Sequence, residues 1–197
     1  LNNPVWHIHA GQVPESDMVV PFSMLLNLAS ASSAEDKETM WGFINKYAPE
    51  ATAATHPGMD QAAGFAVRYF QDFVKPAKVY RLPTDQERAA LADLAKALSS
   101  PEAALAAIAK KNQLVGNDDP LPVADFTDDE FLQSLVFAIG KVHGFEPLRA
   151  WFSAIYEVLL GASQGPRFGG FIQLYGVEET ISLIEAALAG DLLGTPA

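Results

Sequence analysis

The chain has 197 residues, 49% of them apolar, with 13 basic residues against 24 acidic ones and no cysteine. That length and apolar share permit one sizeable domain or two small ones, while the missing cysteine excludes disulfides, a thiolate nucleophile and cysteine-based zinc or iron–sulfur sites. A net charge of −11 has the wrong sign for gripping nucleic acid by bulk electrostatics, so any contact with it must come from local clusters.

No apolar run approaches the ~20 residues needed to cross a bilayer, and the N-terminus lacks a basic-then-apolar signal pattern. A soluble, cytoplasmic protein without membrane contact is expected. The chain opens on Leu1 rather than Met, which suggests a piece of a larger protein. The periodicity is helical nearly throughout, so the expected fold is all-α: a helical bundle of two packed subdomains with an extended N-terminal arm.

That arm holds Pro4, Pro14 and Pro21 and contains PVWHIHAG at 4–11. His7 and His9, two apart on an extended segment, point to opposite sides, which is poor geometry for one metal; no metal site is expected. FSMLLNLASAS (22–32) reads as a short, almost wholly buried helix. Ser33, with Glu35 and Asp36, is expected to start a second helix that Pro49 ends. Thr55 precedes Pro57 as a capping hydroxyl before a long helix to about Val74, stopped by Pro76.

TDQE (84–87) is a capping box, and Ser100-Pro101 caps the next helix, to Gln113. VGNDDPLPVADF (115–126) is the clearest loop and the expected linker between a proximal subdomain, 1–114, and a distal one, 127–197. Thr127 to Glu130 reads as a second capping box. EPLRAWFSAIYEVLLG (146–161), a GASQGPRFGG loop, a short FIQLYG helix and a last helix, EETISLIEAALAG, complete the chain.

Four constellations invite a functional reading. In 57–74, Ala62, Phe65, Ala66, Tyr69 and Phe73 are taken as the buried face, with Gln61, Gly64, Arg68, Asp72 and Lys75 as the solvent stripe. The basic exit FVKPAKVYR offers Lys75, Lys78 and Arg81 to phosphates and Tyr80 to a base, or else simply offsets the helix dipole. In 146–161, Leu148, Trp151, Phe152, Ile155 and Leu159 are expected in the core. Arg149 either reaches a phosphate or pairs with Glu146 or Glu157.

GPRFGG (165–170) is the most informative stretch: glycines admit close backbone approach, Arg167 is a fork for phosphate or a base edge, and Phe168 is a stacking ring. Periodicity alone favours a tight turn whose Arg caps a carbonyl and whose Phe is a hydrophobic plug. For catalysis the inventory is thin. No GxSxG, Walker loop, HExxH or dinucleotide fingerprint occurs, and no catalytic residue is assigned.

Three segments in order, HIHAGQVPESDMVVPFSMLLNLASASSAEDKETMWGFINKYAPEATAATHP, AVRYFQDFVKPAKVYR and LRAWFSAIYEVLLGASQGPRFGGFIQLYGVEETISLI, resemble the C-terminal part of class I lysyl-tRNA synthetases. The last is also similar to the distal anticodon-binding region of glutamyl-tRNA synthetases, which share the Leu-Arg helix, the Gly-Pro turn and the short glycine-ended helix. The resemblance implies an anticodon-binding α-helix cage that follows a Rossmann catalytic domain, with ATP and Mg belonging to the parent enzyme and no cofactor in this part.

HIHAG is not the HIGH signature of that catalytic domain, since no strand precedes it and no helix begins after it. The implied partner is the anticodon stem-loop of a lysine tRNA, whose U-rich bases suit stacking and edge recognition. By motif match, Arg167, Phe168 and Arg149 are the expected anticodon contacts and Lys75, Lys78 and Arg81 the phosphate contacts. Two rival readings are a helical protein-interaction module and a free-standing small-molecule enzyme using HIHAG and the acidic loop. A monomer is expected, since no helix shows a sustained heptad seam.

Overall fold

The computed structural model describes residues 16–194; His7 and His9 lie outside them. The elements are α1 (Phe22–Ser32), α2 (Lys37–Tyr47), α3 (Pro57–Tyr69), α4 (Asp85–Ser99), α5 (Pro101–Val115), α6 (Asp129–Val142), α7 (Arg149–Ile155), α8 (Phe168–Tyr175) and α9 (Val177–Ala189). Among the described residues there is no strand, and the fold is all-α. No helix among them is long and apolar enough to cross a membrane. Both α3 and α7 continue into a wider π turn, Phe70–Val74 and Tyr156–Leu160 respectively.

Local chemistry sets most helix ends. Thr84 accepts from the Glu87 N–H while the Glu87 carboxylate accepts from the Thr84 N–H, completing the expected box. Ser100 accepts from the Ala103 N–H ahead of Pro101. Three caps differ from expectation. Thr55 gives α3 no cap bond; His56 is its N-cap residue and the Gly58 N–H donates to the Asp17 carboxylate instead. Ser33 does not start α2 but ends α1, in the left-handed region at φ 49°, and Asp36 caps α2 through the Thr39 N–H. Asp128, not Thr127, caps α6, because Thr127 is held in a turn by the Asp125 carboxylate.

Burial divides the side chains into two clusters. One gathers Leu25, Leu28, Met40, Ile44, Met59 and Phe70 from α1 to α3. The other gathers Leu94, Ile108, Leu135, Trp151, Phe171 and Ile184 from α4 to α9. Helices α4 and α5 therefore bury against the distal helices, and the clusters part at the strap 78–84. Leu174 of α8 belongs to the first cluster while Phe168, Phe171 and Ile172 belong to the second. Helix α8 thus ties the two.

A ladder of rings follows the same route. Phe168 stacks on Phe171 with centroids 5.2 Å apart, Phe171 on Tyr175 at 5.2 Å, and Tyr175 on Phe43 of α2 at 5.3 Å. Of the core positions expected around α7, Trp151, Ile155 and Leu159 are buried and Leu148 and Phe152 half-buried; the Trp151 indole N–H donates to the Val136 carbonyl at 3.0 Å.

The face of α3 is not the expected one. Met59, Ala63, Ala66, Val67 and Phe70 point inward, whereas Phe65, Tyr69 and Phe73 are 49%, 46% and 64% exposed. Ala63 and Ala66 admit α1 at close range, and three rings on that face would hold it away.

Candidate nucleic-acid interface

Arg167 sits at the N-cap of α8 with its side chain about half exposed, and its two terminal nitrogens reach the two carboxylate oxygens of Glu130 at 2.7 and 2.9 Å. A second acid, Asp129, lies 3.8 Å from the same guanidinium. Bonded to the Arg167 fork, the Glu130 carboxyl is held below its ordinary pKa, and the guanidinium is raised in turn. The fork is thus fixed in place at the surface by acids from the start of α6.

Its neighbour turns the other way. Phe168 is fully buried, between Phe171 and the edge of Tyr156, so it presents no face to a ligand and acts as the hydrophobic plug. The glycines of this loop serve the helix contact. A Cβ on Gly169 would stand 2.4 Å from the Asp129 carbonyl oxygen and 2.5 Å from the Gln133 nitrogen, so only glycine lets α8 cross α6 there. The Gly169 N–H donates to Gln133 Oε1 at 2.9 Å.

The basic exit of α3 is largely consumed inside the molecule. Lys78 donates to the Ser30 carbonyl at 2.5 Å and to the Tyr80 hydroxyl at 2.8 Å, and its ammonium lies over the Phe70 and Tyr80 rings. Burial lowers its pKa to about 8. Arg81 forks onto Glu87 at 2.7 and 2.8 Å and bonds Glu157 at 2.7 Å; these bonds raise its pKa and lower that of Glu87. Lys75 pairs with Glu35 at 3.3 Å on the surface. Lys78 and Arg81 therefore join elements instead of waiting for phosphate. Together with Phe73 and Glu157 they line a cleft of about 550 Å³.

Arg149 is exposed at the first turn of α7 and makes no ion pair with the described residues. It is not beside Arg167. Leu148 and Trp151 abut Gly140 near the end of α6, whereas Arg167 binds Glu130 at its beginning, ten residues or about 15 Å away along the helix.

What the sequence did not indicate is the cleft next to the Arg167 loop. Val20, Pro21 and Met24 at the start of α1, Tyr47 at the end of α2, Asp129 of α6 and Gln173 of α8 enclose about 270 Å³. Tyr47 is 44% exposed, and the Gln173 amide donates to the Thr127 carbonyl. Apolar wall, exposed ring, carboxylate and amide are parts that suit a flat, polar-edged group.

The fold and this surface define an all-helical module of two cores joined through one short helix, with a preset arginine fork beside a small cleft. Over 98% of its length the chain is 61% identical to the lysine–tRNA ligase of Roseobacter denitrificans. Over 94% of its length it is 40% identical to the lysine–tRNA ligases of Rickettsia conorii and Rickettsia felis. The chain spans about a third of the length of these curated relatives, 32%, 32% and 31% respectively. No protein-family model and no solved structure matches it.

Proposed function

We propose that the chain is the anticodon-binding part of a class I lysine–tRNA ligase: it holds the anticodon stem-loop of a lysine tRNA while a catalytic domain elsewhere in the parent enzyme joins lysine to the tRNA with ATP and Mg. The observation that carries this reading is the near full-length similarity to relatives named lysine–tRNA ligase. The surface is consistent with it. An all-α module with an exposed, preoriented guanidinium and a small mixed-polarity cleft is suited to unstacked bases, which are read by stacking and by edge hydrogen bonds.

In this reading Arg167 is the central contact and Arg149 contacts the phosphate backbone, while Phe168 supports Arg167 from beneath. A chain of net charge −11 binds RNA through a few placed groups, so its affinity is modest and falls with salt. The test is titration of the chain at low salt with a lysine-tRNA anticodon hairpin and with a hairpin of altered anticodon. Preference for the lysine hairpin, weakened at least tenfold by Arg167→Ala with the fold retained, is the expected result. Equal binding of both hairpins, or none, would falsify the reading.

A further inference from the structure

We infer that the ring-bearing face of α3 and its π turn, Phe65, Tyr69 and Phe73, is a docking surface for the remainder of the parent enzyme, the part of the ligase that lies outside these 197 residues. This rests on the portion of the reading above that makes the chain one part of a longer ligase, and not on contact with the anticodon. The three rings, 49%, 46% and 64% exposed, stand four residues apart on one side of a single helix. Single apolar residues are ordinary on a surface, whereas a contiguous row marks a place that another surface covers.

The backbone keeps the row straight. On an α-helix, residues four apart advance about 40° around the axis at each step, so a third ring would drift off the face. Phe70–Val74 instead forms a π turn, which has more residues per turn and so less rotation per residue. Phe73 thereby stays in line, with its ring 5.2 Å from that of Tyr69. Beyond it the row runs into the cleft of about 550 Å³, where Val74, Ala77, Val79 and Ala162 make an apolar notch beside Phe73. Rings flanking a notch have the form of an interface centre, into which an anchor side chain of the partner fits.

The charges favour a protein over RNA as the occupant. Arg68 lies over the Phe65 ring at 5.3 Å and donates to the Gly64 carbonyl. Asp72, one turn further on, is an exposed acid, and Lys75 is taken by Glu35. The face therefore has no surplus of cations, which an RNA backbone would require. Its guanidinium instead calls for a carboxylate at the rim of an apolar partner surface.

Length identifies that partner. The chain spans 32% of the relatives from Roseobacter denitrificans and Rickettsia conorii, so about two-thirds of such a ligase lies elsewhere and is carried on the same polypeptide. The row is about 12 Å long, since eight residues separate Phe65 from Phe73. With the notch it suits the middle of a contact between domains of one chain, which covers about 600–1,500 Å².

The measurement is photo-crosslinking in the full-length parent enzyme carrying Phe73→p-benzoylphenylalanine, a larger ring at an exposed position, with the linked peptides mapped by mass spectrometry. The expected product is an intramolecular link to a peptide outside these 197 residues, formed with or without tRNA. A link to these residues in a second copy, a link to tRNA alone, or no link would each overturn the docking surface. Hydroxyl-radical footprinting of the same enzyme supplies an independent readout, because Tyr69 and Tyr47 are almost equally exposed in this chain, 46% and 44%. Tyr69 should be oxidised at least about fivefold more slowly than Tyr47, as a ring at the dry centre of an interface is. Phe73→Asp, which puts a charge into that centre, should bring the two rates within about twofold of each other while leaving affinity for the lysine-tRNA hairpin unchanged. Equal rates in the wild type overturn the docking surface and leave the anticodon reading standing. A hairpin bound without anticodon preference, beside a protected Tyr69, does the reverse.

Discussion

The strap at 78–84 and the loop at 165–170 both present cations near a ring, and the molecule uses them in opposite ways. In the strap, Lys78 and Arg81 turn inward and bond to Ser30, Tyr80, Glu87 and Glu157, elements that would otherwise separate. In the loop, the ring goes inward and the cation stays outside: Phe168 is fully buried and Arg167 is about half exposed. The difference is one of available partners. A basic residue between two cores meets carbonyls and carboxylates from both, whereas one at a helix start on the surface meets only the acids of the next helix. Local charge therefore identifies a cation, and the packing around it decides whether it is free to bind anything.

The contrast is sharpest at neighbouring residues of the loop. Phe168→Ala removes a fully buried ring from the ladder that joins both cores, and a loss of about 3–5 kcal/mol in unfolding free energy is expected by urea titration. Arg167→Ala should leave the urea midpoint unchanged, because its bonds to Glu130 are made in water. Equal effects from the two substitutions would mean that the loop is not divided into an inner and an outer half.

The strap predicts a smaller but still structural effect. Arg81→Ala leaves Glu87, whose side chain is only 11% exposed, without its guanidinium and also frees Glu157. A loss of roughly 2–3 kcal/mol is expected, moderated by the partial exposure of Arg81. The double variant Arg81→Ala/Glu87→Gln should lose less than the sum of the singles, since the second change removes the charge left behind. Additive losses would show that Arg81 acts through packing alone.

Much of the scaffold was legible in the sequence because it is written locally. The Thr84 box, the Ser100 cap and the bounds of α1 depend on residues within four positions of one another. The interior of α7 was legible as well, since its large rings share one stripe. The face of α3 was not, because apolar side chains occupy two adjacent arcs and the choice between them is made by α1, which accepts Ala63 and Ala66 but not Phe65 and Tyr69. The fates of Lys78 and Arg81 were hidden for a related reason: Ser30 and Glu157 lie 48 and 76 positions away. The fork of Arg167 onto Glu130 carried no signal, since the two lie 37 positions apart, and neither did Tyr47, since what makes it part of a cleft is the approach of α8.

The smallest effect expected in the strap is a dependence on pH. Burial holds the Lys78 pKa near 8 in the folded chain, against about 10.4 for an exposed lysine. Between those values the unfolded chain carries a proton that the folded chain has released, so unfolding takes up a proton and the stability rises with pH. Below pH 8 both states are protonated and the folded state bears the full cost of an ammonium between Phe70 and Tyr80, only part of which the Ser30 carbonyl offsets.

Raising the pH from 7 to 9.5 should therefore stabilise the chain by roughly 1–2 kcal/mol, after allowance for the solvent that still reaches the amine. The window closes near pH 10. There the unfolded tyrosines ionise, while burial keeps the pKa of Tyr80 and Tyr175 raised and pushes that of Tyr156 up to about 12, so unfolding then releases protons and the trend reverses. Lys78→Met keeps the length of the side chain without the charge, and its urea midpoint should be flat from pH 7 to 9.5 where the wild type climbs. A wild type that is also flat would place the ammonium in solvent, and the strap would then resemble the loop after all.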